Sequence, residues 1–376
     1  MFGVTEVNRL EDLLSYRPAW DALWRQTRRA TFFQSLDWLE VYWRHFACDQ
    51  TMRVLMVSAG REPIGILPLV VRKDQTGLGP IRVLTYPLSD WGTFYGPVGP
   101  HPTATLLAGM QHVRRTPRDW DLLDLRWVDE AGADHGRTPQ AMTLAGLAPQ
   151  RGTWARASLI ELDGGWEAYW KGRTKKWRHN VNRCQRRLEE LGRVTYLRYR
   201  PLGAAHGDVD PRWDLYDACV LLAERSWQGA STDGNTLSHP EVRRYLRDTH
   251  AAAARTGCLD LNLLMLDDRP AAFAYNYCCQ GAVSGLRIGY EPELSGFGPG
   301  GVVQRMILED GVRRGDVLYD LGPGSLEYKQ NWQTAVVTSY RYAYYPWSAP
   351  RMQLLRLRRW VRRCLQPDYL AYAGSA

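Results

Sequence analysis

The chain has 376 residues, with 48 Lys or Arg against 40 Asp or Glu, which gives a net charge of +8 at pH 7. A chain of this length is too long to fold around a single hydrophobic core, so we expect two domains. A composition of 45% hydrophobic and 23% charged residues excludes a disordered or fibrous protein. The charge is uneven: Lys171 to Arg187 contains eight basic and no acidic residues, and Arg351 to Arg363 contains six Arg and no acid. The other residues together carry −6, so the two basic segments require an explanation.

Composition also argues against membrane, disulfide and metal architectures. No apolar run approaches the roughly 18 residues that span a bilayer. Residues 1–14 carry three acids and lack an apolar core, so we expect no signal peptide and no transmembrane segment. The seven cysteines include no CxxC pair, and the eight histidines show no ligand spacing. These features favour free thiols in a reducing, cytoplasmic compartment and no metal.

Hydrophobic periodicity divides the chain into five blocks. The first, up to about residue 48, is predicted to be helical. The second block contains strands at 53–57, 64–71, 82–86, 120–127 and 157–162, with a helix at 103–115. The third is a long helix through the first basic segment, followed by a strand at 194–200 and helices at 213–227 and 240–255. Its apolar face, which includes Trp177, Val181, Cys184 and Leu188, has helical spacing.

The fourth block combines a strand meander with a glycine-rich loop. Strands at 259–266, 271–279 and 282–290 are joined by turns too short for parallel crossovers, so we expect them to be antiparallel. The loop at 295–301 opens a helix, a strand at 317–321 follows, and a short helix precedes the last strand at 336–344. The fifth block is the Arg-rich C-terminal helix. The order of elements, and the similar segments 122–125 and 318–321, suggest an internal duplication of the first part of the chain.

The loop satisfies the pattern GxGxxG over residues 296–301, which is typical of dinucleotide-binding folds. That function requires a parallel βαβ unit, and the strands before this loop are predicted to be antiparallel, so we reject a nicotinamide site. Exposed amide groups that lead into a helix also favour phosphate. The sequence therefore predicts an anion-binding loop, and a glycine-rich hinge without a ligand is the alternative.

This order of elements, with the motif from Gly322 to Trp332, resembles the GNAT acyltransferase superfamily and more specifically its tandem Fem/CelD-like branch. That branch carries Phe-Gln-x-x-x-Trp near the start, here Phe33 to Trp38, and Pro-Leu at the end of the second strand, here Pro68-Leu69. An Arg/Lys-rich helix between its lobes matches Lys171 to Arg187. The resemblance covers residues 30–345. It implies an α/β (α+β) fold of two tandem GNAT-like lobes, each a mixed, mostly antiparallel sheet flanked by helices.

The resemblance also implies a donor site. In the superfamily the loop binds the pyrophosphate of acetyl-CoA or another acyl-CoA, which assigns that role to the four loop glycines Gly296, Gly298, Gly300 and Gly301. The usual Arg or Gln three residues before the first of them is absent, and Glu293 stands there. Fem-type members use an aminoacyl-tRNA as the donor instead, so both donors stay open.

Acyl transfer to an amine needs a deprotonated nucleophile, a polarised carbonyl and a proton for the leaving group. Tyr328 matches the tyrosine that protonates the leaving thiolate in many relatives, and a core tyrosine is its alternative role. Lys329 is a candidate for contact with the donor, or a surface lysine. Asp320 either orients the amine or caps the following turn. Glu291 and Glu293 are weaker candidates for the base.

The basic segments have three interpretations. Each is the solvated face of an amphipathic helix, or a surface for tRNA, or, for residues 351–363, a peripheral contact with an anionic membrane. Contact with the acceptor or RNA is assigned to the cations of the first segment: Lys175, Lys176, Arg178 and Arg183.

These arguments predict an N-terminal lobe at 1–162, a basic connecting helix at 163–193, a C-terminal lobe with the donor site at 194–346 and an Arg-rich helix and tail at 347–376. The leading hypothesis is an N-acyltransferase that acts from acyl-CoA on a small-molecule or peptide amine. The alternatives are an aminoacyl-tRNA-dependent transferase that acts on a peptidoglycan-type or small-molecule amine, and a non-catalytic GNAT-like binding protein.

Overall fold

The computed structural model describes residues 2–229, 236–324 and 326–365. Residues 366–376 of the expected tail, and Ser325 of the motif, lie outside this range. In the described residues the strands are β1 (Phe2–Val7), β2 (Gln50–Ala59), β3 (Glu62–Asp74), β4 (Ile81–Thr85), β5 (Leu122–Val128), β6 (Gln150–Glu161), β7 (Val194–Tyr199), β8 (Leu259–Leu266), β9 (Arg269–Cys279), β10 (Ala282–Tyr290), β11 (Leu318–Asp320) and β12 (Ala335–Tyr344).

The α-helices of the same described residues are α1 (Leu10–Leu14), α2 (Arg17–Gln26), α3 (Leu36–Phe46), α4 (Pro102–Arg115), α5 (Arg137–Leu144), α6 (Gly165–Lys171), α7 (Lys175–Glu189), α8 (Trp213–Arg225), α9 (Arg243–Thr256), α10 (Pro299–Arg313), α11 (Leu326–Lys329) and α12 (Pro350–Leu365). Within this set, none is both long and apolar enough to cross a membrane.

The chain forms two compact units. The described residues of unit 1 lie in 2–156 and 337–365, and those of unit 2 lie in 157–336. This division differs from the expected one in three places. Residues 157–162, expected in the N-terminal lobe, lie in unit 2. Residues 337–346 and α12 lie in unit 1, because β12 pairs with β5 and α12 buries Met352 and Leu355 against the same sheet. Helix α7, expected to be a connector, lies in unit 2 because Val181 and Leu188 are buried in the core of that unit.

The sheet of unit 1 has the order β1-β2-β3-β4-β5-β12. Strands β1 to β4 pair antiparallel, β4 and β5 are parallel, and β5 and β12 are antiparallel. Residues Ile64 to Val71 of β3 are buried without interruption, because both α2 and α4 pack against this strand. A continuous apolar run is expected for a strand that is covered in this way.

The sheet of unit 2 has the order β6-β11-β10-β9-β8-β7, to which β6 contributes residues 157–161, whereas its residues 150–156 belong to unit 1. Strands β7 to β10 pair antiparallel, β10 and β11 are parallel, and β11 and β6 are antiparallel. In both units four antiparallel strands are followed by a helix and a parallel strand, so the predicted fold class is confirmed. The common order agrees with an internal duplication, which stays a hypothesis.

Four elements differ from the sequence prediction. The single long helix expected through the first basic segment is divided at residues 172–174 into α6 and α7. Residues 2–7 form strand β1 instead of helix, α5 was not predicted, and β6 begins at Gln150 instead of residue 157. Strand β1 lies at the edge of the sheet, where it pairs only with β2 and stays mostly exposed. Its apolar signal is therefore weak, and a pattern search based on burial misses it.

A buried ion network fixes the position of α10 on the sheet of unit 2. Arg198 of β7, whose side chain is 1% exposed, donates to Asp260 of β8 at 2.7 Å, to Asp316 at 3.0 Å and to Asp310 of α10 at 3.2 Å. Arg200 donates to Asp316 at 2.7 Å. Burial alone raises the pKa of Asp260, but the guanidinium groups of Arg198 and Arg200 lower it to about 2. Each buried charge thus has an opposite partner.

Substitution of Arg198→Met is expected to lower the local stability of unit 2 by about 3–5 kcal/mol, because it leaves the buried carboxylates only partly paired. Hydrogen exchange of β8 and α10 amides measures the effect. Arg243→Met, which removes the exposed pair with Glu224, serves as the control and should cost about 0–1 kcal/mol. Equal effects of the two substitutions would contradict a structural role of the network.

The same network predicts acid sensitivity. The pKa of Asp260 is about 2 in the folded protein and about 4 for an unperturbed aspartate. Its ionised form therefore stabilises the fold above pH 4, and this contribution is lost as the pH falls from about 4 to 2. The pH dependence of the same amide exchange rates measures it.

Candidate functional site

The candidate site of unit 2 begins where two parallel strands separate. Strands β10 and β11 pair only from Ala282–Leu318 to Ser284–Asp320. At the next residue, Gly285, an added Cβ would lie 2.9 Å from the Asp320 carbonyl oxygen, and β10 has a register shift against β9 here. Strand β11 ends at Asp320 while β10 continues to Tyr290. The strands thus diverge towards the glycine loop.

The glycine loop follows β10 directly. Residues Pro292–Phe297 form a 3₁₀ turn, and α10 begins after Gly298, which has φ +62°. The Gly298 N–H donates to the Ser295 carbonyl at 3.2 Å, and the Gly301 N–H donates to the Gly298 carbonyl at 3.1 Å. Two of the four predicted glycine amides are therefore engaged within the turn. The Gly300 N–H lies in the first turn of α10, where helices leave donors without an intrahelical partner.

Helix α7 packs against this loop. The Arg187 guanidinium donates to the Gly296 carbonyl at 3.0 Å and lies 4.6 Å from the centre of the Phe297 ring. The Sγ of Cys184 lies 2.9 Å from the position that a Cβ on Gly298 would take. The basic segment is thus partly structural. Cys184 belongs to the apolar face that the sequence predicted, but helical spacing could not show that this face meets the loop.

Helix α7 also contacts the segment after α11. Trp177 makes an edge-to-face contact with Trp332, whose ring is fully buried, at 5.4 Å between ring centres. The Trp332 carbonyl accepts a hydrogen bond from the Tyr169 hydroxyl at 2.8 Å. These contacts anchor the end of the segment that carries Tyr328.

Tyr328 lies on α11, the short helix after β11. The residue as a whole is 43% exposed. The surrounding protein and the nearby Tyr290 hydroxyl raise the pKa of the Tyr328 phenol to about 12, while an interaction with Trp332 opposes that shift. The phenol is therefore protonated at neutral pH. The residue as a whole is partly exposed, whereas burial is the main cause of the raised pKa of its phenol, so the exposure does not decide between a catalytic acid and a core tyrosine.

Lys329 and Asp320 both hold the turn between β11 and α11. The Lys329 ammonium donates to the Gly322 carbonyl at 3.0 Å and to the Pro323 carbonyl at 2.6 Å. Burial lowers the pKa of Lys329 to about 8, and the Asp320 carboxylate opposes the shift. The Asp320 carboxylate accepts from the Gly322 N–H at 2.7 Å. Both side chains therefore have structural contacts, and for Asp320 these match the turn-capping alternative.

The other predicted residues lie around the loop and on α7. Glu291 pairs with Arg225 at 3.2 Å, whereas Glu293 is exposed in the loop. Lys175 and Lys176 are exposed at the start of α7, and Arg178 is partly buried. Arg183 is exposed and donates to Asn180 at 2.8 Å. Among the described residues, none of these four α7 cations has an acidic partner within 4 Å.

Residues 175–330 match the model of the acetyltransferase (GNAT) domain family. The matched span starts at the first residue of α7 and ends one residue after α11, so it contains the diverging strands, the glycine loop and Tyr328. This part of the chain is therefore similar to the GNAT domain family.

Solved structures agree with this assignment at the level of the fold. FemX has a TM-score of 0.64 at 12% identity, covering 94% of this chain and 99% of its own. The C-terminal domain of a putative lysylphosphatidylglycerol synthetase from Agrobacterium fabrum has a TM-score of 0.53 at 10% identity, covering 93% and 96%. No curated protein matches the sequence. The resemblance to the GNAT superfamily, and to its Fem-like branch in fold, is confirmed.

Substitution of two loop glycines tests the packing of α7 on the loop. Gly298→Ala should destabilise the loop by about 1–2 kcal/mol, because alanine disfavours φ +62° and its Cβ would meet Cys184. Gly296→Ala is the matched control, since an added Cβ there meets nothing within 4 Å, and should change stability by less than about 0.5 kcal/mol. Hydrogen exchange of amides in residues 295–303 compares the two, and equal effects would contradict the described packing.

Proposed function

We propose that this protein is an N-acyltransferase that transfers an acyl group from acyl-CoA to a small-molecule or peptide amine. The observation that carries the proposal is the position of Tyr328, a protonated phenol on the short helix α11 that follows the diverging strand β11, within the residues that match the GNAT domain family. The donor lies along β10 with its pyrophosphate at the start of α10, and its thioester lies near Tyr328.

In this reaction the neutral amine attacks the thioester carbonyl carbon and forms a tetrahedral intermediate. The C–S bond then breaks, and the thiolate leaves with a proton from the Tyr328 hydroxyl. The new ammonium loses one proton to solvent or a nearby base, and the Tyr328 phenolate takes one proton back from solvent, so the enzyme is restored. An acid for this step must be protonated at neutral pH, and the raised pKa of Tyr328 meets that condition. Lys329 and Asp320 act as positioning residues, since their contacts hold the turn that presents α11.

The loop fits a phosphate through its backbone more than through its side chains. Gly300 adds no side chain in the first turn of α10, and the positive end of the helix dipole favours an anion there. Glu293 has the opposite effect, because an exposed carboxylate near the loop repels phosphate. We therefore expect weaker donor binding than in relatives that carry Arg or Gln at this position.

Tyr328→Phe is expected to lower kcat by about 10²–10⁴-fold with little change in KM, because it removes only the proton donor. The release of free CoA thiol from acetyl-CoA in the presence of a panel of amines measures the rate. Tyr16→Phe, in unit 1, is the control and should keep the wild-type rate. A Tyr328→Phe variant with full activity would contradict the proposed acid. Donor binding by wild type without turnover of any amine would favour the non-catalytic alternative.

A second candidate donor is aminoacyl-tRNA, which the exposed cations of α7 favour. Lys175, Lys176 and Arg183 are exposed, and they have no acidic partner within 4 Å among the described residues. Neighbouring like charges on a helix repel each other, and a polyanion would relieve that repulsion.

This candidate predicts tRNA binding that weakens steeply with salt. Reversal of charge at Lys175, Lys176 and Arg178 to Glu should abolish binding in a filter or fluorescence assay. The same number of reversals on α9, at Arg244, Arg247 and Arg255, is the control and should leave binding within about threefold. Affinity independent of salt, or equal losses in both variants, would exclude tRNA as the donor.

A further inference from the structure

Unit 1 contains a cavity of about 590 Å³ that neither the GNAT match nor the proposed reaction uses. Its walls come from the end of β3, from β5, β6 and β12, and from one side of α12. One acid, Asp74, lines it together with six arginines: Arg126, Arg151, Arg341, Arg358, Arg359 and Arg362. The volume is that of a site for a small organic ligand.

The inner wall of the cavity is a partly compensated ion cluster. The Asp124 carboxylate is fully buried and accepts from Nε of Arg126 at 2.9 Å and from Nε of Arg341 at 3.0 Å. Arg126 also donates to Asp74 at 2.5 Å, and Asp74 accepts from Arg72 at 2.9 Å. Three guanidinium groups therefore share two carboxylates.

The wall formed by α12 adds positive charge without acids. Arg358 donates to the Gly77 carbonyl at 3.0 Å, and Arg359 donates to the Tyr345 hydroxyl at 2.8 Å. Both acceptors are neutral, and in the described part of the chain neither arginine has a carboxylate within 4 Å. Positive charge thus accumulates at one side of the cavity.

Arg341 lies in the same cluster of charges. Burial is the main cause that lowers the pKa of Arg341 to about 10, the Asp124 carboxylate opposes the shift, and the neighbouring Arg359 and Arg126 add to it. A bound anion would offset both the burial and the repulsion.

We propose that this cavity binds a phosphate-bearing anion, with the guanidinium groups of Arg358 and Arg359 as its main donors. Guanidinium groups match the oxygens of a phosphate with paired hydrogen bonds, and two arginines with only neutral acceptors have charge available for such a ligand. The site is independent of the proposed acyl transfer, because every residue that lines it belongs to unit 1.

The phosphate comes from one of two sources, a soluble metabolite or the headgroup of an anionic lipid. Beside the cavity, α12 exposes apolar side chains that unit 1 does not cover: Leu354, Leu357, Trp360 and Val361 are 40–55% exposed. Exposed apolar residues beside cations are typical of helices at a membrane surface, and the sequence predicted such a contact for 351–363. Both sources share the phosphate chemistry and differ in the contribution of these apolar residues.

The full-length protein should be tested with two kinds of probe, soluble phosphates and phospholipid vesicles. Calorimetry with sn-glycerol 3-phosphate and with inorganic pyrophosphate measures soluble binding, and sedimentation with phosphatidylcholine vesicles, with or without phosphatidylglycerol, measures headgroup binding. Arg358→Gln/Arg359→Gln should weaken whichever binding occurs by about tenfold or more. Arg114→Gln, an exposed arginine on α4 of the same unit, is the matched control and should bind as wild type.

Each outcome either assigns the source of the phosphate or overturns the proposal. Binding of soluble phosphates assigns a metabolite site, and binding only of vesicles that contain phosphatidylglycerol assigns a headgroup site, provided that the double variant weakens it. The proposal is overturned if neither probe binds at low salt, or if the double variant binds as wild type. Circular dichroism verifies the fold of the variants. If the double variant does not fold, Arg358→Gln alone replaces it, because that exposed side chain contacts only a loop carbonyl.

Discussion

The short contact between β10 and β11 is the constraint on which the whole site of unit 2 depends. The strands pair over three residues, and at Gly285 the backbone of β11 comes so close that any side chain would collide with it. Because β11 ends there and β10 continues, the chain must place the glycine loop on one side of the gap and α11 on the other. Tyr290 at the end of β10 lies near both sides: a Cβ on Gly300 would be 3.3 Å from its ring, and its hydroxyl acts on the phenol of Tyr328, 28 positions further along the sequence.

Helix α10 must hold its position if its first turn is to receive a ligand, and it is fixed at both ends. At its C-terminal end, Arg198 links Asp310 and the Ile307 carbonyl to the carboxylates of the sheet. At its N-terminal end, α7 presses Cys184 against Gly298, and Arg305 of α10 donates to Gln185 of α7 at 2.8 Å. Ionic contacts thus set one end of the helix, whereas close packing sets the other. A loop held in this way is pre-organised, which reduces the entropy cost of binding.

The sequence predicted the strands of unit 2 and the order of its elements well, because their apolar runs are long and end at clear turns. The site was predicted only in outline. Periodicity placed Cys184 on the buried face of α7, but no local pattern indicates that this face meets Gly298. Asp320 is another example, because an aspartate at this position fits both a catalytic and a capping role. The capping contact, a 2.7 Å hydrogen bond from the Gly322 N–H, is seen only in the structure. Contacts between residues far apart in sequence, such as Arg198 with Asp316, depend on tertiary structure and leave no spacing to detect.

The two basic segments look equivalent by charge count, yet the structure uses them differently. On α7 the apolar residues face the core of unit 2, Arg187 is bound to the loop, and the other cations mostly face solvent. On α12 the arrangement is different, because several arginines line a cavity while Leu357 and Trp360 are exposed. Met352 and Leu355 pack on the sheet, but the exposed apolar residues of the same helix add no hydrophobic stabilisation, and the arginines at the cavity repel each other. That arrangement is unfavourable for an isolated unit 1, and it becomes favourable when an anion enters the cavity. Net charge alone therefore could not distinguish α7, a solvated or tRNA-facing helix, from α12, whose arginines line a cavity. The directions of their side chains distinguish the two helices.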